Sequence, residues 1–215
     1  MSAPHAFPPT ANPAGYVASA GSERALGDLQ RWALASRDPI CVLRGPPGMG
    51  KTLLLKVFAA RVQAVYETAF VPHPDCDPDG LSRILLGALG IEPPLDPRAG
   101  LTRELGARRG QGKRLLIAID EADSLPRETA SWLVELAASH GGVVRALLAM
   151  TDGSERPDPA AELGGTSQTV RLDAAMSRAE LEAYVHGELE RARVDRAIRA
   201  RFDEPVLAEL HARSG

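Results

Sequence analysis

The stretch GPPGMGKT, residues 45–52, constrains this chain more than any other. It follows the apolar run ICVLR (residues 40–44) and opens onto Leu53, Leu54, Val57, Phe58 and Val62, which recur at helical spacing. Strand, glycine loop and helix in that order begin a parallel βαβ unit. Gly45, Gly50, Lys51 and Thr52 match the pattern G-x-x-x-x-G-K-[ST] in the setting that gives it meaning. Its glycines let backbone N–H groups turn inward around a phosphate, and the helix N-terminus adds partial positive charge. Lys51 then reaches the β and γ oxygens of a nucleoside triphosphate, and the Thr52 hydroxyl ligates Mg²⁺. Lysine occurs only at positions 51, 56 and 113, so one inside the motif is not expected by chance.

The rest of the chain repeats the alternation. Residues 67–72 (ETAFVP), 114–120 (RLLIAID), 143–151 (VVRALLAMT) and 168–172 (QTVRL) read as four further strands. Between them, Leu81, Ile84, Leu85 and Leu89 mark a helix stopping at Gly90, and residues 98–109 a second. Trp132, Leu133 and Leu136 mark a third, with Pro126 in its first turn and Gly141-Gly142 as its stop. Ahead of the first strand, Ser22 is expected to cap a helix bearing Leu26, Leu29, Trp32 and Ala33, which Asp38-Pro39 ends. RLLIAID is apolar on both faces, as a central parallel strand covered by helices on each side must be. The fold class is therefore α/β: a five-stranded parallel sheet with right-handed crossovers and helices on both faces. After Leu172 the pattern turns helical. Ser177 and Glu180 form a capping box ahead of Leu181, Tyr184, Val185 and Leu189, and a last helix holds Val206, Leu207 and Leu210. The chain divides into a Pro-rich arm (1–20), an α/β nucleotide-binding domain (21–174) and a helical part (175–215).

Asp120 ends the third strand and Glu121 follows it, at the carboxyl edge where open α/β sheets bind ligands. Asp120 is placed to hold Mg²⁺ through water, and Glu121 to polarise the attacking water as general base. Thr151, or Asp152 beside it, ends the neighbouring strand and is a candidate for orienting that water. Asp123 with Ser124 reads as a solvated helix-capping pair.

Composition narrows the alternatives. A net charge of −3 gives no general attraction to nucleic acid or anionic membrane. The first twenty residues are uncharged apart from His5 and carry four prolines, without a basic leader or apolar run, so no secretory signal is expected. No run of about eighteen apolar residues occurs, and the expected location is the cytoplasm. Two cysteines give no disulfide framework. His73, Asp75, Cys76 and Asp77 crowd one loop without a second ligand cluster, so a metal is not expected there. Arg191, Arg193, Arg196, Arg199 and Arg201 spread around a helix at 100° per residue and read as a solvated face. Nucleophile-elbow, H-E-x-x-H and C-x-x-C patterns are absent.

GPPGMGKT, LLIAIDEAD and a polar residue ending the next strand together resemble the AAA+ ATPases, over most of the chain. Within them the sequence is similar to the ExeA/GspA-like group of type II secretion and to transposition helper ATPases. That likeness rests on YVASAGSERALGDL, GKRLLIAIDEADSL, MSRAELEAYVHGELERA and LHARSG. The resemblance implies strand order 5-1-4-3-2, with residues 175–215 as a partial lid. It implies ATP and Mg²⁺ as ligands, with Gly45, Pro46, Pro47, Gly48, Met49, Gly50, Lys51, Thr52 and Leu53 around the phosphates and Tyr16 and Val17 beside the adenine. It also implies a nucleotide-dependent homo-oligomer that hydrolyses MgATP to assemble or remodel a protein partner of secretion-apparatus type. Two alternatives stay open: a DNA-associated transposition or regulatory ATPase, and an ATP-dependent binding switch with negligible hydrolysis. With that strand order, two strands at about 4.8 Å each separate Cys41 from Cys76 and rule out a disulfide. Two departures stand out. GGTSQT (164–169) lacks the arginine usual before the fifth strand, with Arg156 as a substitute candidate, and the chain ends at Gly215, ahead of the lid's Gly-x-Pro-Arg stretch. The second departure is read either as truncation or as an incomplete lid.

Overall fold

The computed structural model describes residues 11–153 and 167–214. The Arg156 candidate and residues 164–166 of the arginine-free stretch lie outside the described residues.

Five strands form one parallel sheet: β1 (Ile40–Gly45), β2 (Tyr66–Val71), β3 (Arg114–Ile119), β4 (Val144–Thr151) and β5 (Ser167–Arg171). Their spatial order is β2-β3-β4-β1-β5, the expected 5-1-4-3-2 read from the other edge. Because successive side chains point to opposite faces, each central strand feeds two cores. Val42, Ile117 and Leu148 pack with α3 (Pro78–Ala88), α4 (Pro97–Gly110) and α5 (Arg127–Ser139) on one face. Leu43, Leu116 and Leu147 pack with α1 (Ala20–Ala35) and α2 (Lys51–Val62) on the other. Trp32 and Phe58 are fully buried there, and the indole N–H of Trp32 donates to Asp38 O at 2.9 Å. Truncating an aromatic at such a site costs about 3–5 kcal/mol.

After β5 come α6 (Arg178–Arg191), the short α7 (Arg196–Arg199) and α8 (Glu204–Ser214), joined by a small core of Val185, Leu189 and Leu207. The Ser177–Glu180 capping box forms as expected. Glu180 also reaches across to the sheet-bearing part of the chain, where it accepts the Ala20 N–H at 2.6 Å. The link between β5 and α6 presses on two glycines. A Cβ on Gly21 would lie 2.8 Å from Ala174 O, and one on Gly45 would lie 2.2 Å from Leu172 O.

Three local readings are corrected. The cap of α1 is Ser19: its hydroxyl accepts the Ser22 N–H at 3.2 Å while Ser22 Oγ accepts the Ser19 N–H at 3.0 Å, so Ser22 lies inside the first turn. Pro126 is the N-cap of α5 and not part of its first turn. The arginine run does not lie on one helix, because α6 ends at Arg191 and Arg193 takes a left-handed conformation (φ 52°) ahead of α7. Two of its members are neutralised locally, Arg191 by Glu188 and Arg199 by Glu190. Cys41 and Cys76 are both free thiols. No helix among the described residues is long and apolar enough to cross a membrane.

Candidate functional site

At the carboxyl edge of the sheet, β1 stops at Gly45, in register with Thr151 of β4. The loop beyond reverses direction through Gly48 (φ 80°) and Gly50 (φ 81°), a region L side chains rarely enter. Gly50 caps α2 without a side-chain bond, so the first N–H groups of that helix are left for a ligand. Such an end binds anions through its N–H groups and dipole.

The loop borders a cavity of about 350 Å³, a size suited to a small-molecule ligand. Gly48, Lys51 and Thr52 line one wall, and Asp120, Glu121 and Thr151 the other. Eight predicted residues from three separate segments thus converge: Pro47, Gly48, Gly50, Lys51, Thr52, Asp120, Glu121 and Thr151. Met49 and Leu53 pack instead on the hydrophobic core of α1 and α2, and Tyr16 and Val17 do not line the cavity. The Tyr16 hydroxyl pairs with Ser22 at 2.7 Å and donates to Glu23 at 2.9 Å, beneath the Arg61 guanidinium. A larger hollow of about 620 Å³ lies between Arg178 and Leu207, but it is crossed by the Arg178 ion pairs to Glu182 and Glu204 and holds none of the predicted residues.

The Lys51 ammonium folds back on its own loop, donating to Gly45 O at 2.9 Å and Pro46 O at 2.8 Å. Burial pulls its pKa below the ordinary lysine value, against the opposing charge of Asp123, Asp120 and Asp152. Asp120 is buried just past β3, and its N–H donates to Val71 O at 2.9 Å. A buried carboxylate opposite a threonine hydroxyl is an oxygen-rich donor set that suits Mg²⁺. Glu121 has a left-handed backbone (φ 48°), uncommon for a residue with a Cβ, and an exposed side chain.

Two residues near the cavity escaped the sequence reading. His73 Nδ1 lies 2.9 Å from Glu121 Oε2. β2 and β3 pair with Val71 opposite Ile119, and continuing that register by two residues sets His73 opposite Glu121. Two other residues of its loop make bonds elsewhere: Asp77 caps α3 by accepting the Gly80 N–H, and the Cys76 carbonyl accepts the Thr129 hydroxyl. Asp123 is the second missed residue. It is no solvated cap, since its carboxylate accepts the Thr151 N–H at 2.8 Å.

The parallel order, the glycine loop at the end of β1 and the acids at the end of β3 define a P-loop nucleoside triphosphatase fold of the AAA+ class. More narrowly, residues 34–156, over half of the chain, match the family described as AAA domain, and the chain belongs to that family. Among solved structures it is similar to Cdc6p from Pyrobaculum aerophilum, at 14% identity and TM-score 0.62, covering 86% of this chain and 52% of that one. Domain III of the replication initiation protein DnaA from Thermotoga maritima is similar at 14% identity and TM-score 0.56, covering 95% and 81%. The RuvB Holliday junction branch migration motor of Thermotoga maritima is similar at 17% identity and TM-score 0.53, covering 83% and 53%. The chain spans about half the length of the Cdc6 and RuvB structures, and at these identities the likeness is one of fold. No curated protein matches the sequence.

Proposed function

We propose that this chain binds MgATP in the cavity beside the phosphate loop and hydrolyses it to drive assembly or remodelling of a partner complex. The convergence of Lys51, Thr52, Asp120, Glu121 and Thr151 on one cavity carries this reading. The backbone of residues 45–53 cradles the phosphates while the Met49 and Leu53 side chains stay on the core, and Lys51 exchanges its loop carbonyls for β and γ oxygens. Thr52 and Asp120 would hold Mg²⁺, which would supply positive charge against the negative charge developing on the phosphates. Glu121 takes the proton of the attacking water, and the Thr151 hydroxyl orients that water. Tyr16 and Val17, which do not line the phosphate cavity, would flank the adenine beyond it, and α6–α8 act as a partial lid. The working form is a homo-oligomer in the cytoplasm, and the resemblance to ExeA/GspA-like proteins favours a secretion-apparatus partner.

A second reading, a DNA-associated ATPase, is favoured by the fold likeness to the ORC1 protein of Aeropyrum pernix, whose structure is one in complex with DNA (16% identity, TM-score 0.57). It requires ATP-dependent duplex binding with steep salt dependence. A third, a binding switch with negligible hydrolysis, is supported by the Glu121 carboxylate being engaged by His73.

The deciding experiment measures phosphate release per subunit over a wide range of protein concentrations, with Glu121→Gln as the blank. Turnover that exceeds the blank and climbs with concentration supports hydrolysis at sites completed between subunits. A rate at the blank throughout, with ATP still bound, refutes hydrolysis and leaves the switch.

A further inference from the structure

β4 runs past the end of its neighbour. Its register with β3 stops at Leu148 opposite Ile119, whereas its register with β1 continues to Thr151 opposite Gly45. Along β4, Ala146 N–H donates to Pro39 O at 2.9 Å and Asp152 N–H to Gly45 O at 3.2 Å, so the even-numbered N–H groups face β1. The Thr151 N–H therefore faces the side on which β3 has already ended. A half-buried N–H without an acceptor is costly, and native folds rarely leave one. Asp123 stands where the missing strand would be: its Oδ2 accepts that N–H at 2.8 Å.

The carboxylate is held in place by its turn. Ser124 N–H donates to Glu121 O at 2.9 Å, Leu125 N–H to Ala122 O at 3.1 Å, and the Ser124 hydroxyl to Glu121 O at 2.8 Å. Asp120, Glu121 and Asp123 thus share one short braced segment, and the last of them grips the strand end that carries Thr151. We propose that Asp123 is a positioning residue, fixing the Thr151 hydroxyl against Asp120 and Glu121 by holding the Thr151 backbone. Hydrogen bonds to a charged acceptor are short and directional, which suits this task. Asp123 also leads the carboxylates whose charge acts on Lys51, so its charge is felt at the phosphate loop as well as at the strand end.

The catalytic meaning of this placement rests on the ATPase reading above, and the test separates the two. Asp123→Ala removes acceptor and charge, while Asp123→Asn keeps an acceptor oxygen without the charge. The readouts are hydrogen exchange at the Thr151 amide, affinity for a fluorescent ATP analogue, and single-turnover hydrolysis of MgATP with Glu121→Gln as blank. In Asp123→Ala, Thr151 amide exchange quickens by roughly tenfold or more. Hydrolysis slows on the order of tenfold to a hundredfold, the effect of a small misplacement of a reacting group. Nucleotide affinity does not weaken, because a negative charge near the triphosphate has gone. Asp123→Asn restores amide protection and most of the rate. Unchanged Thr151 exchange in Asp123→Ala, or hydrolysis within about twofold of the parent, overturns the inference. Equal losses in both variants with weakened affinity also overturn it, marking general damage. If the parent turns over no faster than the blank, the ATPase reading fails, and the Thr151 amide alone decides whether Asp123 positions that strand end.

Discussion

Replacing Gly45 by alanine is the sharpest structural test of the phosphate-loop platform. The new methyl carbon would lie 2.2 Å from Leu172 O, 3.2 Å from the Leu172 carbonyl carbon and 3.3 Å from its Cβ. The obstacle is backbone, and it cannot swing away because Leu172 N–H donates to Arg44 O at 2.7 Å. The ends of β1 and β5 must then part by roughly 1 Å, an overpacking that costs about 1–3 kcal/mol, with about 1 kcal/mol more from the weakened Leu172 bond. For a chain of this length each kcal/mol lowers Tm by about 2–4 °C, so a drop of roughly 8 °C is expected. Gly48→Ala is the control. Nothing lies within 4 Å of a Cβ there, and only its φ of 80° is unfavourable, worth about 1–2 kcal/mol. Guanidinium unfolding followed by circular dichroism gives both stabilities, and hydrogen exchange at the Leu172 amide localises the first. Faster Leu172 exchange in Gly45→Ala but not in Gly48→Ala is expected. If Gly45→Ala unfolds within about 0.5 kcal/mol of the parent, the close approach of β1 and the β5–α6 link is wrong.

His73→Ala should raise kcat a few-fold with KM unchanged, since it frees the Glu121 carboxylate for water; a fall in kcat in steady-state assays would show that His73 assists Glu121. Burial pushes the Cys41 thiol up to about 12, so a thiol reagent at neutral pH should label Cys76 alone in the folded protein and both cysteines after unfolding, counted by mass spectrometry. Backbone N–H groups of Ala20 and Ser177 hold the Glu180 carboxyl below its ordinary value of 4.5. A depressed carboxyl stabilises the fold above its unfolded pKa and ceases to as pH falls through the lower folded value. Acidification below 4.5 should therefore narrow the gap in urea midpoint between parent and Glu180→Gln, and a gap constant with pH would refute the bridge.

What the sequence made legible follows from how each feature is encoded. Central strands such as RLLIAI announce themselves by unbroken apolarity, and the glycine loop by its residue types; both are local. Ser19 and Ser22 are three apart and each can cap a helix, so composition alone does not choose between them. The break at Arg193 has no glycine to mark it, because an ordinary residue adopts the left-handed conformation. His73 and Asp123 were hidden for a different reason. Their roles depend on the register of β2 with β3 and on how far β4 outruns β3, and these offsets are fixed by turns and packing far from either residue.

The two glycines pressed against the β5–α6 link have a mechanical consequence. Gly45 seats Leu172 and Gly21 seats Ala174, so the link lies in two bearings too narrow for any side chain. Sliding of the link along the sheet edge is blocked, and Met176 O is held in addition by His211 Nε2 at 3.0 Å. The helical unit α6–α8 is thus clamped where it leaves the sheet, with the Glu180 bond to Ala20 as a further tie.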